Sequence, residues 1–139
     1  MPRKGTRYER ELAQMLWEKG WAVIRGPASG GGSKARIQPD IVAVKNRKIL
    51  VFEVKKARSK PVYLDPGQVL GLIEWARRAG GDAWIAVRIA GDGWRFHMAT
   101  QLSTTRRGGL KIADPRKGMK FRDLINQYEG SVERIDKYL

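Results

Sequence analysis

Residues 39–57, PDIVAVKNRKILVFEVKKA, decide the fold. Ile41, Val42, Ala43 and Val44 make one apolar run, and Ile49, Leu50, Val51 and Phe52 make another. The four residues between them, Lys45-Asn46-Arg47-Lys48, are polar and turn-prone. Two apolar, largely β-branched runs joined by a short polar loop read as a β-hairpin. A turn centred on Asn46-Arg47 sets Asp40 opposite Glu53, and directly opposed residues have Cβ atoms about 4.5–5.5 Å apart. Glu53 and Lys55 are two apart, so they share a face while Val54 points the other way. Asp40, Glu53 and Lys55 therefore converge on one patch of an otherwise apolar hairpin.

Like charges directly opposite one another destabilise a sheet, so something must offset the repulsion. One reading is an ordinary surface ion pair with Lys55, since mixed charges are common on strand edges. The other is a divalent cation. Paired carboxylates, completed by waters and phosphate oxygens, are the usual way proteins hold magnesium. The hairpin alone leaves both open.

The whole chain narrows the choice. Its 139 residues suit one compact domain, and 42% hydrophobic content is enough for a core. We expect a single domain over 1–139, with 101–139 as a C-terminal extension packed on or trailing from it. No apolar run approaches the roughly 20 residues of a membrane helix. The start, MPRKGTRYER, has no apolar signal region. With no cysteine and a single histidine, His97, no zinc site is expected, and any metal site here would be built from oxygen ligands. A cytoplasmic protein without membrane contact is expected. The 28 Lys and Arg outweigh 14 Asp and Glu, leaving a formal charge of +14. A folded domain this basic most often partners nucleic acid; passive binding is the bland form of that reading.

Along the chain, residues 6–19 read as a helix, with Thr6 and Glu9 at capping-box spacing and Gly20 as its stop. Residues 21–25 are a short strand, and 26–38, GPASGGGSKARIQ, a mobile basic loop. Residues 62–64 are a short strand candidate. Residues 65–79 form a second helix: Asp65 caps it, Pro66 suits its first position, and Gly80-Gly81 end it. Residues 83–90 and 94–100 are strands. Residues 104–118 show no clear pattern, and 120–138 return to helical spacing in Phe121, Leu124, Ile125 and Tyr128. The order α-β-β-β-α-β-β with a C-terminal helix points to an α/β layer structure.

Several features have competing explanations. GPASGGGSK is not a phosphate loop, because Ser33 precedes Lys34 instead of following it. A basic loop touching a phosphate backbone fits better, with Lys34 and Arg36 as its cations, and a plain linker is the alternative. Arg3, Lys4 and Lys56 are further candidates for DNA contact. Glu9 is explained by its capping position or by a place beside the hairpin patch. His97, between Phe96 and Met98, is expected to have a structural or surface role and not a catalytic one. Trp75 lies off the main apolar stripe of its helix, so it serves either an interface or the core.

Pro39-Asp40, followed across the hairpin by Glu53-Val54-Lys55, resembles the signature of the PD-(D/E)XK nucleases. More of the chain agrees. RKG at 3–5, ERE at 9–11, KGWAVIRGPASG at 19–30 and IEWARRAGG at 73–81 resemble the archaeal-type Holliday junction resolvases. The likeness runs in order over roughly residues 3–100. It implies a restriction-endonuclease-like core, with a central mixed sheet flanked by helices. It also implies a homodimer that nicks opposing strands of a four-way DNA junction and leaves 5′-phosphate and 3′-hydroxyl ends.

Carried over residue by residue, the resemblance makes Asp40 and Glu53 metal ligands, completed by the Val54 carbonyl. Lys55 would orient water or stabilise charge on the phosphate. Glu9 would be an acid of the active site and a further candidate for the metal, and Ser29 a catalytic loop serine. Arg10 and Arg25 match DNA-contacting positions, and Trp75 a position near the dimer interface. Mg²⁺ is the implied cofactor, with Mn²⁺ as substitute and no nucleotide. Ala79 departs from relatives that carry a second aromatic there. A nuclease of the same type acting on duplex, flap or single-stranded DNA is the alternative enzyme reading. A non-catalytic basic DNA-binding module is the other; it has no use for acidic residues facing a phosphate.

Overall fold

The computed structural model describes the backbone of residues 4–26 and 38–136, and the side chains of 7–26 and 38–129. Its elements are α1 (Lys4–Glu18), β1 (Ala22–Arg25), β2 (Ile41–Lys45), β3 (Lys48–Ala57), β4 (Val62–Leu64), α2 (Pro66–Ala79), β5 (Asp82–Ile89), β6 (Gly93–Met98), β7 (Ser103–Thr104), β8 (Leu110–Ile112) and α3 (Phe121–Asp136). The main sheet has the order β1-β2-β3-β5-β6. β3 and β5 run parallel, joined by the crossover through α2, and the other pairs are antiparallel.

The hairpin forms in the expected register. Ile41 pairs with Phe52 and Lys45 with Lys48, leaving Asn46 and Arg47 as the turn. Both turn residues have positive φ, 50° and 68°, the geometry that lets a two-residue turn follow the twist of its strands. α2 also begins and ends as its sequence demands. Asp65 Oδ2 accepts from Gln68 N at 3.0 Å, and Gly80 takes the left-handed conformation at φ 78°.

Two apolar layers enclose the sheet. On one side Leu12 and Leu16 of α1 and Leu124 and Ile125 of α3 pack on Leu50, Phe52, Trp84 and Phe96. On the other, Val69, Leu72 and Ala76 of α2 pack on Val51, Ile85 and Val87. The expectation for the tail needs amending. Its weakly patterned stretch contains two strands, and a second sheet of order β4-β8-β7 lies against the α2 layer through Leu64, Leu110 and Ile112. α3 is tied down by Tyr128, whose hydroxyl donates to Asp82 Oδ2 at 2.7 Å and accepts from Trp84 Nε1 at 3.0 Å. The strap before α3 closes the free edge of β6, where Phe96 and Met119 exchange backbone hydrogen bonds of 2.8 and 2.9 Å.

Candidate active site

Asp40 stands just before β2 and is held from three directions. Its N–H donates to Phe52 O at 2.9 Å and its carbonyl accepts from Gly26 N at 2.8 Å. Its side-chain Oδ2 accepts from Val54 N at 2.7 Å. Gly26 allows the close approach from β1: a Cβ there would lie 2.3 Å from the Pro39 carbonyl oxygen. The chain is thus sealed on both sides of Asp40 by main-chain bonds, and the carboxylate replaces the ladder partner that Val54 would otherwise find in β2. Both backbone groups of a strand residue point to the same edge. The Val54 carbonyl is therefore directed toward the Asp40 side as well.

Glu53 and Lys55 occupy β3 between Val51 and Ala57, on the face toward α2. Lys55 Nζ lies 3.3 Å from Glu53 Oε2, with about a third of the lysine side chain exposed. That ion pair does not decide the carboxylate's charge. Burial pushes Glu53 up, the Asp40 charge pushes it further, and Lys55 only partly opposes them, so its pKa rises to about 7. Asp40 is also raised, chiefly by burial, against the Val54 hydrogen bond and Lys55. Glu9 on α1 joins the same field. It is raised by burial and by Asp40, while Arg25, with Nη2 at 3.7 Å from Oε1, lowers it. Three carboxyl groups thus share one electrostatic environment in which their charged forms are costly.

The donor set suits a hard divalent cation. It offers carboxylate oxygens and a carbonyl whose charged state needs a positive partner. Among the described residues, no three acidic or histidine side chains stand close enough to hold a metal ion by themselves. Asp40 and Glu53 are the fitting pair, and Glu9 contributes through its charge.

Glu9 does not belong to a capping box, because α1 starts at Lys4 and places Thr6 inside the helix. Arg10 is exposed on α1, and Lys56 is exposed on β3. Arg3, Ser29, Lys34 and Arg36, and the side chain of Lys4, fall outside the described residues. Trp75 is partly buried and packs against the α2-side core, while Leu70 on the same helix is 63% exposed. His97 has the structural role expected, its Nε2 lying 2.9 Å from the Pro115 carbonyl.

The sequence reading missed a basic hollow of about 500 Å³ lined by Arg7, Tyr8, Lys56, Arg58 and Arg88. Arg88 lies over the Tyr8 ring at 5.7 Å and donates to Glu11 Oε1 at 2.9 Å, an oxygen that also accepts from Trp94 Nε1 at 2.7 Å. The β3–β5 register sets Lys56 beside Arg88, and α1 adds Arg7 and Tyr8. A local pattern could not have found it.

A family model described as archaeal Holliday junction resolvase (Hjc) matches residues 1–132. The chain belongs to this family. It is 33% identical to the crossover junction endodeoxyribonuclease Hjc of Sulfolobus acidocaldarius, over 98% of this chain and 96% of that protein. It is 38% identical to the protein of the same name from Archaeoglobus fulgidus, over 82% of this chain and 90% of the relative. The crystal structure of Archaeoglobus fulgidus Hjc, a Holliday junction resolvase, superposes with a TM-score of 0.78 at 33% identity, covering 87% of this chain and 99% of the other. That likeness accounts for the restriction-endonuclease-like core.

Proposed function

We propose that the chain is a structure-selective endonuclease that resolves four-way DNA junctions by metal-dependent hydrolysis, leaving 5′-phosphate and 3′-hydroxyl ends. The observation that carries the reading is the clamped Asp40 beside Glu53 and Lys55, in a chain of the resolvase family. Asp40 and Glu53 hold the cation, with the Val54 carbonyl as its third protein ligand. Mg²⁺ is the proposed ion and Mn²⁺ its substitute; when bound it activates water and neutralises charge growing on the phosphate. Lys55 places an ammonium at the same spot, to orient the attacking water and to share the phosphate charge. Glu9 raises the field that favours a cation, and Arg25 keeps Glu9 aimed at the site. Rigid strands keep these groups in register.

Paired nicks require two active sites, so the working unit is a homodimer. Exposed apolar side chains support self-association. Ile24 is 71% exposed on the edge strand β1, Val44 is 39% exposed on the neighbouring β2, and Leu70 is 63% exposed on α2, the helix of Trp75. The +14 charge, with Arg10, Arg25 and Lys56 among its carriers, binds junction arms through their phosphates. All 139 residues act as one nuclease domain, a reading supported by the burial of Leu124 and Ile125 beside Leu12. No helix among the described residues is long and apolar enough to cross a membrane. We place the enzyme in the cytoplasm, with the cell's DNA.

The test is cleavage of a labelled four-way junction beside duplex, flap and single-stranded DNA of matched sequence, with Mg²⁺ and with EDTA. Metal-dependent, symmetric nicks confined to the junction are expected. Equal cutting of the linear controls would replace this reading with a general nuclease.

A further inference from the structure

No acidic residue occurs between Glu53 and Asp65, or between Asp92 and Asp114. These acid-free stretches are far apart in sequence, yet the fold lays them side by side. β4 pairs with β8, setting Tyr63 beside Lys111, and Lys111 in turn faces Ser103 of β7. Val62, Leu64, Leu110 and Ile112 turn inward to the core, so alternation leaves Tyr63, Lys111 and Ser103 on the outer face. Tyr63 is 69% exposed. Lys60 leads into β4 at one end of this face, and Arg106 and Arg107 form the tip of the β7–β8 hairpin at the other. With Lys111 they make four cations, and among the described residues none of these four is in an ion pair.

The hairpin tip is built to present its arginines. Thr105 N donates to Gly109 O at 2.9 Å, Gly108 N to Thr105 O at 3.1 Å, and Gly109 N to Thr105 Oγ1 at 2.8 Å. Gly108 supplies the positive φ, 81°, that closes the turn. Arg106 and Arg107 therefore project from a defined loop with no local carboxylate to hold them.

This face also has a fixed relation to the candidate active site. Glu53 and Lys55 point to the α2 side of the main sheet, the side on which the small sheet packs. From Lys55 the chain runs to the end of β3 at Ala57 and on to Lys60. Five residues of extended chain span at most about 17 Å, comparable to about five base pairs of duplex at 3.4 Å each. The basic hollow around Lys56 and Arg88 opens on the opposite face of β3, and Arg58, which lines that hollow, belongs to it and not to this surface.

We propose that the β4–β8–β7 sheet is a second DNA-binding surface, on which Lys60, Arg106, Arg107 and Lys111 grip the phosphate backbone of a duplex arm beyond the cut site. It rests on the junction-nuclease reading. Its occupant is a polyanion because, among the described residues, the face carries four cations without an ion pair and no acid. It is a duplex backbone because the cations are spread from one end of the sheet face to the other and are not gathered at one point. The contact is independent of sequence, and its signature is the salt dependence of binding.

The experiment measures junction affinity across salt concentrations for wild type and for two variants that lose the same charge. One carries Arg106→Ala with Arg107→Ala. The other carries Arg77→Ala with Arg78→Ala on α2. Loss of two phosphate contacts lowers the slope of log affinity against log salt by about 1.8, and lowers affinity on the order of tenfold at low salt. That result is expected for the hairpin variant only. A wild-type slope in the hairpin variant, or equal losses in both, would overturn the proposal.

Because the chain has no cysteine, Arg107→Cys also provides a single site for a thiol-linked hydroxyl-radical probe. Strand breaks in a junction arm away from the nick are expected; their absence would overturn the proposal even if the double variant misfolded. Comparing junction cutting by wild type and Asp40→Asn tests the nuclease reading separately, so the two claims fail independently.

Discussion

Glu53 and Glu74 each stand beside cations, and their environments act in opposite directions. Glu74 is on the open face of α2, where Arg77 Nη2 and Arg78 Nε reach its Oε2 at 2.6 and 2.8 Å. Those hydrogen bonds bring its pKa down to about 2. Glu53 also has a cation at 3.3 Å, yet burial and the Asp40 charge raise it to about 7. Distance to a positive charge does not separate the two glutamates. Desolvation and the second carboxylate do. At Glu74 the protein satisfies a charge, and solvent makes the arrangement cheap. At Glu53 it builds a charge that remains unsatisfied by the chain's own groups, which is the condition under which a bound divalent cation is most strongly favoured.

The largest expected effect breaks the Glu53 side of this contrast. Asp40→Asn removes one donor and the repulsion that raises Glu53 while keeping the side-chain shape. Single-turnover junction cutting should fall by on the order of 10³-fold or more, with junction binding retained in a gel-shift assay. A wild-type rate would show that Asp40 does not take part.

Glu53→Gln tests the electrostatic cost itself. Glu53 binds its proton more tightly folded than unfolded, with a pKa of about 7 against an ordinary 4.5. The folded chain therefore carries the extra proton between those values. Stability falls as pH rises through that window and stays reduced above it. In metal-free buffer the variant should melt higher than wild type at pH 8, by a margin corresponding to up to about 3 kcal/mol, and equal it below about pH 4. Glu74→Gln, measured the same way, should not show this gain. Equal behaviour of the two variants would erase the distinction.

Gly26→Ala sharpens the geometric half of the account. Its Cβ would meet the Pro39 carbonyl oxygen at 2.3 Å, a contact that only backbone movement can relieve. A destabilisation of about 1–3 kcal/mol is expected in urea unfolding, together with slower cutting. The smallest effect belongs to Arg77→Ala, which breaks an exposed ion pair; its melting temperature should match wild type in calorimetry.

The hairpin register, the capped α2 and the Asp40–Glu53–Lys55 patch were legible in the sequence because each depends on local information. The Asn46-Arg47 turn sets the first, Asp65 and Gly80 set the second, and strand alternation sets the third. Other features required contacts across long sequence separations. β8 is only Leu110–Ile112, too short to show alternation, and becomes a strand because β4 is there to pair with it. The hollow at Lys56 and Arg88 exists because β3 and β5 run parallel. Glu9 satisfied a capping pattern in the sequence. It owes its place in the site to α1 starting further upstream and packing against the hairpin end, where Arg25 meets it.

The account's central claim is that Asp40 and Glu53 together form the cation site. The most direct test is a titration of Mn²⁺ onto the protein, followed by electron paramagnetic resonance at several pH values. Wild type should bind one ion per chain with an affinity that rises as pH passes about 7, where Glu53 gives up its proton. Asp40→Asn and Glu53→Gln should each lose that binding. Mn²⁺ bound as tightly by both variants as by wild type would contradict the claim.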